Sequence, residues 1–486
     1  MKRFLTKIGR FFWSWGFLKF VLVVISLIVL LYVEEDWRGA RTWAATKAKW
    51  EAKGESFDFG KFIPAPVPDD QNLAAIPLFK MEPDSEDSKL LFPVKLQDAL
   101  SEAKHGGELP VLAHKEELRA GVAAAYAGAF KNQIPPADSL TQLESLYPII
   151  NDLRQASVMR PYCRFNLDYN SSSWAHSFAL LTFQIKVSKL LCLHAFIALQ
   201  ENQPSVALDD IKIGFKLAKG ISRDPTIVAG LVSVAGVAII RMAVDEGLKD
   251  HVWNDAQLAD LQDELGGIDF LAQYQSMLRG ELATDTMPNL NLIKKVLSTA
   301  KDPFSFYGVW PGGWLDLDKS RVVDFIFSEL QCSDARAHRV LPEISRALEQ
   351  EADRANALPW RLAPWNFFFA LTGPPFTHLA LHFAQIQVSL DEDRIVCALE
   401  RYRLAHGTYP PSLDVISPQY IEAVPHDVVS GKPYRYQLRP DGTFLLYSVG
   451  WNQTDDGGKA VFKKDMPGAV DYEQGDWVWP TGQGRL

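Results

Sequence analysis

The side chains best able to do chemistry fall into a few small groups. Asp391-Glu392-Asp393 sets three carboxylates in succession at the expected start of a helix, where the positive end of the helix dipole favours acids. Asp316 and Asp318 follow Pro311-Gly312-Gly313-Trp314 and could share a metal ion, but no further ligand lies close to them in the chain. Asp455-Asp456 precede Gly457-Gly458, a pattern common in solvated turns. The ten histidines include no His-Glu-x-x-His helix of the zinc-binding kind, and His194 falls on an apolar helical stripe as a core residue. Cys163, Cys192, Cys332 and Cys397 could pair in an oxidising compartment, but Cys192 and Cys397 sit in apolar helical runs, as buried free thiols do. No nucleophile elbow, phosphate loop or dinucleotide fingerprint is present.

Composition narrows the class. A chain of 486 residues with 47% hydrophobic and 22% charged residues is neither disordered, collagen-like nor polytopic, and its length allows about three domains. A net charge of −9 argues against nucleic acid as the main partner, because phosphate contacts need a basic surface. That average hides a split. Lys2, Arg3, Lys7, Arg10 and Lys19 make the first 19 residues basic with no acid, so everything after Lys19 sums to −14.

The basic tip runs into an apolar stretch. Phe20 to Val33 is interrupted only by Ser26, and Glu34-Glu35-Asp36 close it. Crossing a bilayer takes about 20 helical residues, which residues 11–33 provide if Lys19 snorkels to the near surface. Trp13 and Trp15 at one end and Tyr32 and Trp37 at the other suit the two interfaces. A cleaved signal peptide also starts basic and apolar, but Tyr32-Val33-Glu34-Glu35-Asp36-Trp37 offers no small residues for cleavage. A buried core helix is the third reading. The favoured expectation is a single transmembrane helix with the amino terminus in the cytoplasm and the bulk of the chain outside it.

Four segments are expected: 1–33 as tip and anchor, 34–95 as juxtamembrane helix and spacer, 96–385 as an α-helical hairpin domain, and 386–486 as a small α+β module. Residues 34–51 lack proline and should carry the helix onward, with Trp43 and Trp50 on one stripe and Gly54 ending it. Ile63-Pro64-Ala65-Pro66-Val67-Pro68-Asp69-Asp70 is an extended polyproline-type spacer or a docking strand. The clearest helices lie near 174–201, 204–219, 225–248, 254–265 and 268–284. Pro204 and Pro225 suit first turns and Asn254 an N-cap. Leu191, Ala195 and Ala198 followed by Ala207, Ile211 and Gly214 resemble one tetratricopeptide-type (TPR-like) hairpin, although such arrays need about three units. The aromatic stretch 360–383, with Trp360, Trp365 and Phe367-Phe368-Phe369, is broken by Thr372-Gly373-Pro374-Pro375. It is expected as a core hairpin rather than a second span, with an apolar patch touching the bilayer or a partner as the alternative. In the last segment a helix over 390–406 is followed by β-rich runs at 434–438 and 443–449, which flank Arg439-Pro440-Asp441-Gly442, a hairpin signal. Trp477-Val478-Trp479 should add a strand.

Ala398-Leu399-Glu400-Arg401-Tyr402-Arg403-Leu404-Ala405-His406-Gly407-Thr408-Tyr409-Pro410 resembles the helix end and turn of type II secretion major pseudopilins. Val424-Pro425-His426-Asp427, Gly431-Lys432-Pro433-Tyr434-Arg435-Tyr436 and Leu446-Tyr447-Ser448-Val449-Gly450 continue the likeness in order, over residues 386–460. Glu35 to Gly39, Pro66 to Gln71 and this ending together make the whole chain similar to large uncharacterised membrane-anchored proteins of Verrucomicrobia- and Planctomycetes-type bacteria, a likeness that implies no particular activity. Pseudopilins carry the anchor helix directly ahead of the globular part, behind a processing motif that this chain lacks; here residues 34–385 intervene.

The pseudopilin resemblance implies calcium in the loop after the Tyr-Ser-x-Gly motif, with Asn452, Asp455, Asp456 and backbone carbonyls as oxygen ligands. Asn452-Gln453-Thr454 stands where that family has an acidic-glycine start. No other cofactor is expected. The expected function is that of a membrane-anchored structural or interaction protein that binds other envelope proteins, with a secretion-associated component and a periplasmic hydrolase with a dispersed active site as alternatives.

Overall fold

The computed structural model describes residues 15–80, 115–130, 134–165, 174–299, 311–357, 364–366, 369–370, 378–464 and 469–480. The basic tip, the 95/96 boundary, Trp360 and most of the aromatic stretch up to 377 lie outside them. The described chain is mainly helical, with a few small antiparallel sheets. In chain order the described α-helices of eight residues or more are α1 (Trp15–Ala52), α2 (Lys115–Ala129), α3 (Ser139–Leu146), α4 (Ile149–Met159), α5 (Trp174–Gln200), α6 (Pro204–Ile221), α7 (Ile227–Lys249), α8 (Asp255–Gly266), α9 (Phe270–Glu281), α10 (Met287–Thr299), α11 (Gly312–Glu329), α12 (Pro342–Asn356) and α13 (Leu379–His406).

Two compact units emerge, and they do not follow a division at 95 and 385. One holds residues 1–61, 282–329 and 346–377, the other 62–281, 330–345 and 378–486.

In the first unit, α1 is one unbroken helix from the apolar stretch through the juxtamembrane segment. Its second half packs on α11, burying Glu35, Gly39, Thr46 and Trp50. Gly39 and Gly313 let the two backbones meet: a Cβ on either would lie deep inside van der Waals contact with the other helix. Asp36 Oδ1 accepts from the Gly313 amide at 2.7 Å, so a side chain of α1 satisfies a free donor at the start of α11. Trp314 Nε1 donates to Glu35 Oε2 at 3.0 Å, and Trp50 Nε1 donates to Asp324 Oδ1 at 2.6 Å. Trp50 packs on Phe327 with ring centroids 4.9 Å apart. The helix expected beyond the apolar run is therefore bound to its own unit along a tryptophan stripe.

The second unit is built on α5, α6 and α7, which pack pairwise. Leu191, Ala195, Ala198, Ala207 and Ile211 are all buried there, and Gly214 gives Ile240 its space. The five helices expected between 174 and 284 are present as α5 to α9. Asn254 caps α8 in a full capping box with Gln257. Pro225 is not in a first turn, because the Thr226 hydroxyl accepts from the Ala229 amide and starts α7 after it. Beyond the proline-rich segment, Asn72 bridges Tyr162, and Arg160 donates to the Asp69 and Asn72 carbonyls at 2.7 and 3.0 Å. That end of the spacer is docked.

The carboxyl-terminal strands β3 (Arg435–Leu438), β4 (Phe444–Ser448) and β7 (Trp477–Val478) form one antiparallel sheet with β4 in the middle. They follow a two-residue ladder, β1 (Ser333–Asp334) with β2 (Arg339–Val340); a second hairpin pairs β5 (Ala460–Phe462) with β6 (Val470–Gly475). Leu438 faces Phe444 across the expected turn, where Gly442 takes φ 84°, a left-handed value suited to glycine. The main correction concerns α13. It begins at Leu379, not near 390, and lies between α7, α8 and α9 on one side and the strands on the other. The α+β module and the helical body therefore share one compact unit.

Candidate functional site

A helix turns 100° per residue, so three consecutive side chains cannot all face one neighbour. Asp391, Glu392 and Asp393 are nevertheless all closed from solvent, at 1%, 0% and 0% exposure. This is possible only because α13 is enclosed. The acids sit in its middle, too far from its start for the dipole to explain them.

Each acid has a different environment. Asp393 is the anchored one: Arg241 on α7 holds it through Nε and Nη2, and Trp479 Nε1, from the chain end, donates to its Oδ1 at 3.0 Å. The same guanidinium donates to both oxygens of Asp245, at 3.1 and 3.0 Å. One buried arginine thus joins α7, α13 and the carboxyl-terminal tail. Asp391 Oδ1 accepts from Gln387 at 3.2 Å, while its Oδ2 has no partner. Glu392 has none on either oxygen, and the nearby Tyr434 hydroxyl is also unpartnered. Next to them Asp427 is fully used, accepting from the Val429 amide and from the hydroxyls of Ser430 and Ser448 at 2.7–2.9 Å.

Burial dominates the electrostatics. It lifts Asp391 from 3.8 to about 6, against the pull of Arg394 and His338. It raises Glu392 well above the carboxylate range, where Arg241 opposes it and Asp393, Asp427 and Asp245 reinforce it. The folded chain therefore holds protons on these two acids that the unfolded chain releases, and their contribution to stability falls as pH rises from about 3.8 through about 6 and, for Glu392, beyond. Asp391 alone contributes roughly 3 kcal/mol to that fall. Glu392→Gln keeps the shape and removes the titration. It is expected to stabilise the protein at pH 8 by about 1–2 kcal/mol and to flatten its melting temperature against pH, measured by calorimetry. An unchanged pH profile in the variant would show that Glu392 is not the group responsible.

His194 is buried in the core as expected, and it also joins a second polar network. Its Nδ1 lies 2.6 Å from Asp210 Oδ2, and Arg154 donates to Asp210 Oδ1 at 3.0 Å and to Glu144 Oε1 at 2.9 Å. These residues come from α3, α4, α5 and α6, so the network fastens four helices. Asp210 lies in the hairpin motif, but Glu144 and Arg154 carried no sequence signal for it.

The sequence-derived candidates are dispersed. Asp316 and Asp318 lie two apart on α11, roughly 200° around the helix, and cannot converge on one ion; Asp318 Oδ1 instead accepts from the Phe369 amide at 2.9 Å. Asn452, Asp455 and Asp456 do share one loop. There Asp455 accepts from Arg435 Nε and the Tyr447 hydroxyl, both at 2.9 Å, and Asn452 Nδ2 donates to Asp456 Oδ2 at 3.1 Å. The loop is closed from behind by Asp476, which accepts from the amides of Asp456, Gly458 and Lys459. Among the described residues no group of three or more histidine, cysteine or acidic side chains is arranged to hold a metal ion. The four cysteines are free and buried.

The residues that carry the pseudopilin resemblance have structural partners. Glu400 accepts from Arg403 Nη2 at 2.7 Å and is paired with His251 at 2.9 Å and with the Tyr409 hydroxyl. Arg401 reaches Asp255 and the Tyr420 carbonyl, at 2.8 and 3.0 Å. The motif thus fastens the end of α13 to α8 and the following turn.

The other exceptional surface is the apolar half of α1. Between Leu18 and Val33, large apolar side chains such as Phe20, Leu22, Leu27, Leu30 and Val33 are 56–63% exposed. Its most apolar window has no buried residue, whereas that of α7, the other helix among the described residues long and apolar enough to cross a bilayer, is half buried among core neighbours. Comparisons with protein-family models, curated proteins and solved structures find no match to this chain.

Proposed function

We propose that this chain is a single-pass membrane protein of the bacterial inner membrane that works by binding, its amino terminus cytoplasmic and its bulk periplasmic. One observation carries the reading: α1 leaves its apolar half bare and then packs closely on its own unit from Glu35 onward. A water-exposed apolar stripe of that length is a large penalty unless hydrocarbon covers it. The basic flank at residues 2–10 supports the orientation. The finer reading is a TPR-like helical surface and a pseudopilin-like module over 386–486 as the sites for envelope partners. It is supported by the packing of α5 on α6 and by the β3–β4 hairpin, whose β4 lies on α13.

The test is fractionation of cells expressing the full chain. The protein should stay with membranes in alkaline carbonate and leave them in detergent, and protease added to spheroplasts should digest the bulk. Val24→Arg with Ile28→Arg should release it or block its insertion. Wild-type protein in the soluble fraction would overturn the anchor, and a protected bulk would overturn the orientation. Crosslinking in intact cells then identifies the partner.

Calcium at Asn452, Asp455 and Asp456 belongs to the same proposal and has a distinct requirement: the ion must take Asp455 from Arg435. Chelator should then lower the melting temperature of the full chain, and Asp455→Asn should remove that difference. No response to chelator dismisses the ion.

A further inference from the structure

We infer that α1 carries a binding site for an anionic phospholipid headgroup where it leaves the bilayer, built from Trp37, Arg38, Arg41 and Thr42; the inference rests on the membrane reading above. These residues line part of an open hollow of about 610 Å³ along α1 that continues through Ala45 and Thr46 to Lys49. Its position follows from helix geometry. Taking Val33 as the end of the apolar run, Arg38 lies about 8 Å and Arg41 about 12 Å further along the axis. A leaflet's polar layer is about 5–8 Å thick. Helical side chains lean toward the amino terminus, here back toward the bilayer, so both guanidinium groups reach that layer. Lys49, a further two turns on, does not, and its ammonium is held by Asp324 at 2.8 Å.

The charges on this side of the helix suit a phosphate. Glu35 and Asp36 are turned to α11, where they accept from Trp314 and Gly313. Arg38 touches Glu35 at 2.6 Å but remains half exposed. Glu34 is the exposed acid of this face, one turn nearer the membrane. Arg41 is exposed and lies over the Trp37 ring at 5.2 Å. The indole holds the guanidinium by cation–π attraction and leaves its edge donors free. Trp37 itself is 61% exposed just past the apolar run, where amphipathic rings settle at the headgroup level. Past Glu34, this cationic face follows the exposed apolar surface within about one turn, so the acyl chains and the phosphate of one lipid would be covered by neighbouring parts of α1.

The experiment uses the full chain in nanodiscs of phosphatidylcholine, with or without phosphatidylglycerol, and counts lipids retained on the released protein by native mass spectrometry. Phosphatidylglycerol should be retained in preference to phosphatidylcholine. Arg41→Gln should lower that preference about fivefold, the effect of one basic side chain at an anionic surface, and Arg41→Lys should restore most of it. Lys47→Gln removes the same charge from the opposite face of α1 and should change nothing. Equal retention of the two lipids by the wild type overturns the site, as does an equal loss in Lys47→Gln. Displacement of phosphatidylglycerol by inorganic phosphate would mark a free-anion site and overturn the lipid assignment. A chain that enters neither kind of nanodisc refutes the membrane reading itself, whereas entry into both without preference refutes the headgroup site alone.

Discussion

Arg241→Met is expected to destabilise the second unit by about 3–5 kcal/mol, the range for removing one partner of a buried ion pair. The size follows from what is left behind. Asp393 is fully closed and Asp245 nearly so, and neither could regain water without opening α7 from α13. Both would have to take up protons or unfold their surroundings. Asp393 also receives the Trp479 indole, and that ring stacks on Phe444 with centroids 5.5 Å apart, so the chain end should loosen with it. Urea unfolding followed by tryptophan emission and by far-ultraviolet dichroism would measure both effects. Adding Asp245→Asn and Asp393→Asn to Arg241→Met removes the unbalanced charge and should recover at least half of the loss. If the single variant unfolds at the wild-type midpoint, Arg241 is not the centre that joins these elements.

Gly39→Val should have a comparable effect in the first unit, about 3 kcal/mol or more, because the side chain would meet the backbone of Gly313 rather than a movable group. Pushing α1 away from α11 also breaks the Asp36 contact to the Gly313 amide and the Glu35 contact to Trp314. Hydrogen exchange should rise across 312–329 and 35–52 while α5 to α9 keep their protection. Gly121→Ala is the matched control: nothing lies within 4 Å of its added Cβ, and it sits in helix α2. It should stabilise by about 0.5–1 kcal/mol, the gain from lower backbone freedom in the unfolded chain. Protection of 312–329 unchanged by Gly39→Val would refute the close crossing.

Local patterns were legible where one face of an element meets water. The hairpin around Asp441-Gly442 and the capped start of α8 were readable from a few residues each. The helices α5 to α9 could be counted because turn chemistry separates them, even where the helix is apolar all round. The start of α13 could not be read that way. An enclosed helix has no polar face, so its first three turns merge with the apolar stretch before them, and the acids were placed at a helix start they do not occupy. The partners of those acids were also hidden. Arg241 is 152 residues from Asp393, and Trp479 is 86 from it. Likewise Asp455 was a free carboxylate on paper, whereas β3 brings Arg435 to it from 20 residues away.

By itself the sequence determined the apolar, basic-flanked first segment, the helical middle, the hairpin near the chain end and the absence of known catalytic motifs. Each of these depends on residue type and short spacing, which act within a few turns of chain. The tertiary structure alone decided that α1 crosses α11 at paired glycines, that the carboxyl-terminal strands share a unit with the helical body, and that three successive acids are buried with only Asp393 held by Arg241. Those depend on which surfaces exclude water together, and burial is a property of the assembled chain: the same carboxylate is an ordinary surface acid in an open turn and a proton-holding group when helices close over it.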